Sequence, residues 1–70
     1  MVEVTAPMVG KVVKVLVKVG DAVEEDEPVV MIEAMKVEMP VGAPESGTVA
    51  SISVKEGDKV EADQVLATIE

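Results

Sequence analysis

The chain repeats itself. Sliding the 70-residue sequence by 37 positions lays residues 6–33 over 43–70 without a gap, and 13 of the 28 aligned pairs are identical. The matches include Pro7/Pro44, Gly10/Gly47, Gly20/Gly57, Asp21/Asp58 and Asp26/Asp63 as well as apolar pairs such as Val17/Val54 and Ile32/Ile69. Valine richness alone would not align glycines, prolines and aspartates. Such self-similarity marks one supersecondary unit used twice, and neither copy can cover its own apolar face.

Each copy reads as β. Val13, Val15 and Val17 alternate with Lys14 and Lys18, and Ala50, Ile52 and Val54 alternate with Ser51, Ser53 and Lys55. A period of two places alternate side chains on opposite faces of a strand. Gly20-Asp21 and Gly57-Asp58 punctuate each copy with a turn. Val23 and Val60 mark short strands, acidic loops follow, and residues 29–33 and 65–69 form the next strands. Pro7, Pro28, Pro40 and Pro44 are expected at strand ends or edges, where a missing N–H is tolerated. Two copies covering each other predict an all-β fold, a flattened barrel or sandwich of about eight short strands, with no helix. The expected core is Val13, Val15, Val17, Val30, Ile32, Ala50, Ile52, Val54 and Ile69. One domain over residues 1–70 is what this length can hold.

Composition removes most catalytic chemistry. Without cysteine or histidine the chain has no thiol nucleophile, no disulfide, no zinc-thiolate set and no imidazole base. No Phe, Tyr or Trp is present, so stacking platforms for single-stranded nucleic acid are missing. Fourteen acids against six lysines give a net charge of −8, which opposes binding to phosphate backbones and anionic membranes. That acidity serves solubility or steers the chain toward basic clefts on protein partners. No apolar run is long enough to span a membrane, and the start MVEVT lacks the pattern of a signal peptide. A cytoplasmic location is the expectation, without catalytic residues, metal site, nucleic-acid partner or direct membrane insertion.

The copies are joined by Ala34-Met35-Lys36-Val37-Glu38-Met39. A shift of 37 carries Lys36 past the last residue, so it has no counterpart within the chain. If Met35 and Lys36 are the central residues of a hairpin, Ala34 faces Val37, Glu33 faces Glu38, Ile32 faces Met39 and Val30 faces Val41. One side of that hairpin is then wholly apolar and the other carries Glu33 and Glu38, a self-consistent register. The turn chemistry is odd: tight hairpins favour Asn-Gly or Asp-Gly, and Met-Lys has no aptitude for positive φ. Two glutamates facing each other also cost a little stability.

A lysine that works as a nucleophile needs burial or neighbouring positive charge to lose its proton near neutrality. A tip beside Glu33 and Glu38 supplies neither. Lys36 is therefore badly placed as a catalyst and well placed as the acceptor of a group activated elsewhere.

The string Glu33-Ala34-Met35-Lys36, with PMVG at 7–10, VGDAV at 19–23 and the internal repeat, resembles the biotinyl domain of biotin-dependent carboxylases, transcarboxylases and decarboxylases. The resemblance covers essentially the whole chain. It implies a barrel-sandwich hybrid of two four-stranded antiparallel sheets, with Lys36 carrying biotin in amide linkage. Ala34, Met35 and Val37 then flank the attached cofactor, and Glu33 and Glu38 are positions for a biotin protein ligase to read. Val37 departs from the family pattern, which usually has a second Met there. The 37-residue spacing leaves no room for the protruding thumb of some acetyl-CoA carboxylase carriers.

The implied role is a non-catalytic carrier whose swinging arm moves a carboxyl group between a biotin carboxylase or decarboxylase site and a carboxyltransferase site. A lipoyl carrier of 2-oxo acid dehydrogenases is similar in fold and site, but its tip usually reads Asp-Lys-Ala where this chain has Met35, Lys36 and Val37. A lipoyl-like interaction module with no modified lysine is the remaining alternative.

Overall fold

Eight strands and no helix make up residues 2–70, which the structure, a computed structural model, describes. They are β1 (Val2–Thr5), β2 (Gly10–Val15), β3 (Ala22–Val23), β4 (Pro28–Ala34), β5 (Val37–Gly42), β6 (Gly47–Ile52), β7 (Lys59–Val60) and β8 (Val65–Ile69). Two four-stranded sheets form, in the orders β1-β8-β6-β3 and β5-β4-β2-β7, and every pairing is antiparallel. Each sheet takes two strands from each half of the chain. Adding 37 to a residue number carries β2 onto β6 and β3 onto β7, and exchanging equivalents 37 apart, in either direction, turns the first sheet order into the second.

The halves clasp each other through their turns. In the first, the Asp21 N–H donates to the Lys18 carbonyl at 3.0 Å, and Asp21 Oδ2 accepts from the Lys18 N–H at 2.9 Å. Asp58 does the same with Lys55, at 3.1 and 3.0 Å. Gly20 (φ 97°) and Gly57 (φ 93°) take the left-handed backbone that closes each turn, which glycine adopts without a Cβ penalty. The Gly20 N–H then donates to the Val49 carbonyl and the Gly57 N–H to the Val12 carbonyl, both at 2.8 Å. Each half's turn is thus tied to the other half's strand.

The core lies between the sheets. Val4, Val12, Val29, Val30, Ile32, Val49, Val60, Leu66 and Ile69 are its largest fully buried side chains, and no polar or charged residue is buried among the described residues. Val17, Val30, Ile32, Val54 and Ile69 are buried as expected, with Val15 and Ile52 packed half-buried against the cluster. Val13 and Ala50 do not belong to it. The β2–β4 register slips between Val12 and Lys14, and the β6–β8 register slips between Val49 and Ser51. Val13 and Ala50 are therefore the extra residues of two bulges, and a bulge shifts the inward phase by one. Val12 and Val49 take the inward places instead, leaving Val13 37% exposed.

β2 and β6 start earlier than the valine alternation suggests, because Gly10 and Lys11 pair with Val60 and Lys59 of β7, and Gly47 and Thr48 with Val23 and Ala22 of β3. Past Val15 one further bond holds, from the Leu16 N–H to the Val29 carbonyl at 2.8 Å, and β4 then opens at Pro28, which has no N–H to give. Pro40 lies in β5, an edge strand of its sheet, where that same lack is harmless.

Candidate functional site

The β4–β5 hairpin pairs Ala34 with Val37, Glu33 with Glu38, Ile32 with Met39 and Val30 with Val41, the register expected from sequence. Met35 and Lys36 are left as the two turn residues, with φ of 54° and 65°. Positive φ at both central positions defines the type I′ turn, whose twist matches that of the flanking strands. Neither residue favours it; a side chain with a Cβ pays roughly 1–2 kcal/mol per residue in the left-handed region. Strain of this sort is retained where the surrounding structure over-determines the backbone, often at functional sites.

What over-determines it lies directly below the tip. Ala34 is buried, and Ile32 beneath it is wholly inaccessible to solvent. A Cβ on Gly10 would come within 2.7 Å of the Glu33 carbonyl oxygen, so β2 presses against the last residues of β4 where only glycine fits. Above that footing the tip projects into solvent. Met35 is 83% exposed, Val37 58% exposed, and Lys36, Glu33 and Glu38 are all exposed. Val37 lies on the apolar side of the hairpin by register but beyond the reach of the core.

Relieving the strain should separate stability from function. Met35→Gly should stabilise the chain by about 0.5–1.5 kcal/mol, since the Met35 side chain buries almost nothing and the left-handed penalty disappears. Thermal melting would read this as a rise of a few degrees. The same variant should be a poorer substrate for any enzyme that recognises the tip by its methionine.

Charge around the tip is arranged in a rank across one sheet. Glu38 faces Glu33, Glu33 faces Lys11, and Lys11 faces Lys59. An open groove of about 340 Å³, lined by Lys11, Val12, Val13, Glu33, Glu38 and Gly57, runs along this rank beside the tip. Glu33 and Glu38 are neighbours by hairpin register alone, whereas Lys11 and Lys59 join the rank only through long-range pairing of β2 with β4 and β7, which has no local signature. Among the described residues, no cluster of three or more acidic side chains is disposed to hold a metal ion, and no helix is long and apolar enough to cross a membrane. The tip thus presents an exposed amine on a rigid base.

Comparison with known proteins agrees with this geometry. Over 35 residues the chain is 63% identical to the biotin carboxyl carrier protein of acetyl-CoA carboxylase from Solanum lycopersicum, matching half of each protein. It is 58% identical over 36 residues to the 2-oxoglutarate carboxylase large subunit of Hydrogenobacter thermophilus, covering 51% of this chain and 6% of that one. The chain therefore spans half or less of these relatives.

Among solved structures, it superposes on part of the Kluyveromyces lactis urea carboxylase with a TM-score of 0.92 and 44% identity, over 97% of this chain and 6% of that one. It also superposes on the lipoyl domain of the Azotobacter vinelandii 2-oxoglutarate dehydrogenase complex with a TM-score of 0.81 and 34% identity, over 100% and 96% of the two chains. The family model described as biotin-requiring enzyme matches residues 2–69. The chain belongs to that family.

Proposed function

We propose that this chain is a biotin carboxyl carrier domain, with biotin joined through an amide to Nζ of Lys36. The observation that carries this reading is an exposed lysine held in a strained two-residue turn at the join of two matching halves. The family match and the carboxylase relatives supply the chemical identity of the group. The domain is non-catalytic: it displays and delivers, and the enzymes that load and use it supply the bases.

Attachment fits the residues present. A ligase brings the biotin carboxyl group already activated, Lys36 Nζ displaces the activating group to form the amide, and the ligase takes the released proton. Glu33 and Glu38 flank the lysine on the hairpin's outer side, where a ligase could read them. Once attached, biotin supplies an acceptor for a carboxyl group and delivers it to a second site. The chain's own contribution is a rigid platform beneath a flexible tether, which raises the effective concentration of the tether's end near each site. The partners in this reading are a biotin protein ligase and the biotin carboxylase and carboxyltransferase domains of one carboxylase, in a cytoplasmic setting.

A lipoyl carrier is the second reading, favoured by the superposition on the lipoyl domain. The tip weighs against it, since Met35 occupies the place of the aspartate usual in lipoyl tips. Blotting the expressed chain with streptavidin and with anti-lipoyl antibody decides between them. A streptavidin signal is expected; an anti-lipoyl signal without one would reverse the assignment.

A further inference from the structure

The groove beside the tip has walls of more than one chemistry. Glu38 on β5 faces Glu33 on β4, and Glu33 faces Lys11 on β2, so these three side chains share one outer face. Val13, the extra residue of the β2 bulge, is turned outward and adds an apolar wall, 37% exposed. The floor is fixed by the clasp between the halves. There the Val12 N–H donates to the Asp58 carbonyl at 2.7 Å, and the Gly57 N–H to the Val12 carbonyl at 2.8 Å. The groove is thus formed by the fold itself.

The repeat shows which of these walls the fold can do without. Thirty-seven residues on, Glu33 becomes Glu70, but Lys11 becomes Thr48 and Val13 becomes Ala50. The same bulge in the second half therefore has neither an ammonium nor a large apolar side chain beside it. That half also has no counterpart of Lys36. The lysine and the valine occur only in the half whose bulge adjoins the tip.

We propose that this groove is a resting site for the ring system of the biotin carried on Lys36. This rests on the carrier reading above. The ring system joins a cyclic urea to a thioether ring. A urea has two N–H donors and one carbonyl acceptor; Glu33 and Glu38 accept from N–H groups, and Lys11 donates to a carbonyl. Two carboxylates beside one ammonium suit a neutral group that both donates and accepts, whereas an ion of either sign meets a like charge. Val13 offers apolar surface to the thioether ring.

Reach singles out the same occupant. Glu38 is two residues on from Lys36, about 7 Å, and Lys11 lies two strand spacings across from Glu38, about 10 Å. The lysine stem and the acyl chain of biotin put about eleven bonds between Cα and ring. At roughly 3.5 Å for every three extended bonds, that spans about 13 Å. A short flexible tether holds its end at an effective concentration in the millimolar range, so a site with a Kd of about 1 mM is about half occupied. Untethered ligands at lower concentration hardly compete. While Lys11, Glu33 and Glu38 hold the ring, the fraction free to enter another protein falls in proportion.

The test compares the parent with K11T/V13A, which installs the residues found at positions 48 and 50 of the same fold. Both should take biotin from a biotin protein ligase equally, since neither position lies in the tip. In the parent, loading should move the backbone amide signals of Lys11, Val12, Val13 and Gly57, and should bring biotin ring protons into contact with the Val13 methyls by NMR. In K11T/V13A the shifts at those four positions should vanish, and streptavidin should capture the biotin about twice as fast as in the parent. The primary amide of biotin, added at millimolar concentration to the unmodified parent, should move the same amides.

Shifts confined to residues 33–38, with equal capture rates for both chains, would overturn the resting site and leave the carrier reading intact. Shifts at Lys11 and Val13 that disappear on dilution would assign the groove to the arm of a second copy, overturning occupation by the chain's own arm. A parent chain that never accepts biotin would overturn both readings.

Discussion

Lys36→Arg should abolish biotin incorporation, taking the biotinyl mass from one group per chain to none while leaving the melting temperature unchanged. Arginine keeps the positive charge beside Glu33 and Glu38 but offers a delocalised guanidinium that stays protonated and does not accept an acyl group. Lys36 is exposed and its side chain forms none of the core, so folding has little stake in its identity. The other five lysines provide the contrast. Lys11, Lys14, Lys18, Lys55 and Lys59 are also exposed amines, yet none occupies a projecting two-residue turn. Replacing each by arginine should leave loading intact. Intact-mass measurement after co-expression with a biotin ligase reads all six variants, and persistent loading of Lys36→Arg would show that another lysine is the acceptor.

The second large effect is on stability. Ile32→Ala should destabilise the chain by about 2–5 kcal/mol, the range for truncating a fully buried isoleucine. Ile32 is 0% exposed, sits between Val12 on β2 and Met39 on β5, and lies directly under the tip. A domain of this size has only roughly 3.5–10 kcal/mol in hand, at 0.05–0.15 kcal/mol per residue. The loss should lower the melting temperature by about 10–30 °C. The repeat supplies a matched control: Ile69, its equivalent on β8, is 1% exposed and should cost a similar amount when cut to alanine. Loading at Lys36 should fall only as far as the folded fraction falls. A melting temperature within about 3 °C of the parent would contradict the placement of Ile32 in the core.

Much of this was legible in the residues because the repeat turns one sequence into two readings of the same unit. The hairpin register, the turns at Gly20 and Gly57, and the short strands at Val23 and Val60 all follow from local chemistry and alternation. The bulges at Val13 and Ala50 did not, since two adjacent apolar residues, Val12-Val13 and Val49-Ala50, give period-two counting no way to decide which faces inward. β1 was also not singled out. Its equivalent is β5, whose sequence beyond Glu38 runs into a proline and a glycine, so the repeat carries little identity there. At the site, the tip acids were foreseen as neighbours, while the lysines of the adjoining strands were not. Lys11 and Lys59 reach Glu33's rank only through β2 pairing with both β4 and β7, a long-range arrangement with no local signature.

The strained turn draws the two levels together. Met35 and Lys36 break the preference of a type I′ turn, and that misfit marks the tip as more than a connector. The sequence oddity and the backbone outlier are the same fact seen twice.

The most direct test of the carrier role is transfer of radiocarbon from bicarbonate to the chain by an intact biotin carboxylase with ATP. The account predicts about one label per biotinylated chain, none on the unmodified chain and none on Lys36→Arg. A chain fully biotinylated at Lys36 that takes no label, with a carboxylase that labels free biotin in the same assay, would contradict it.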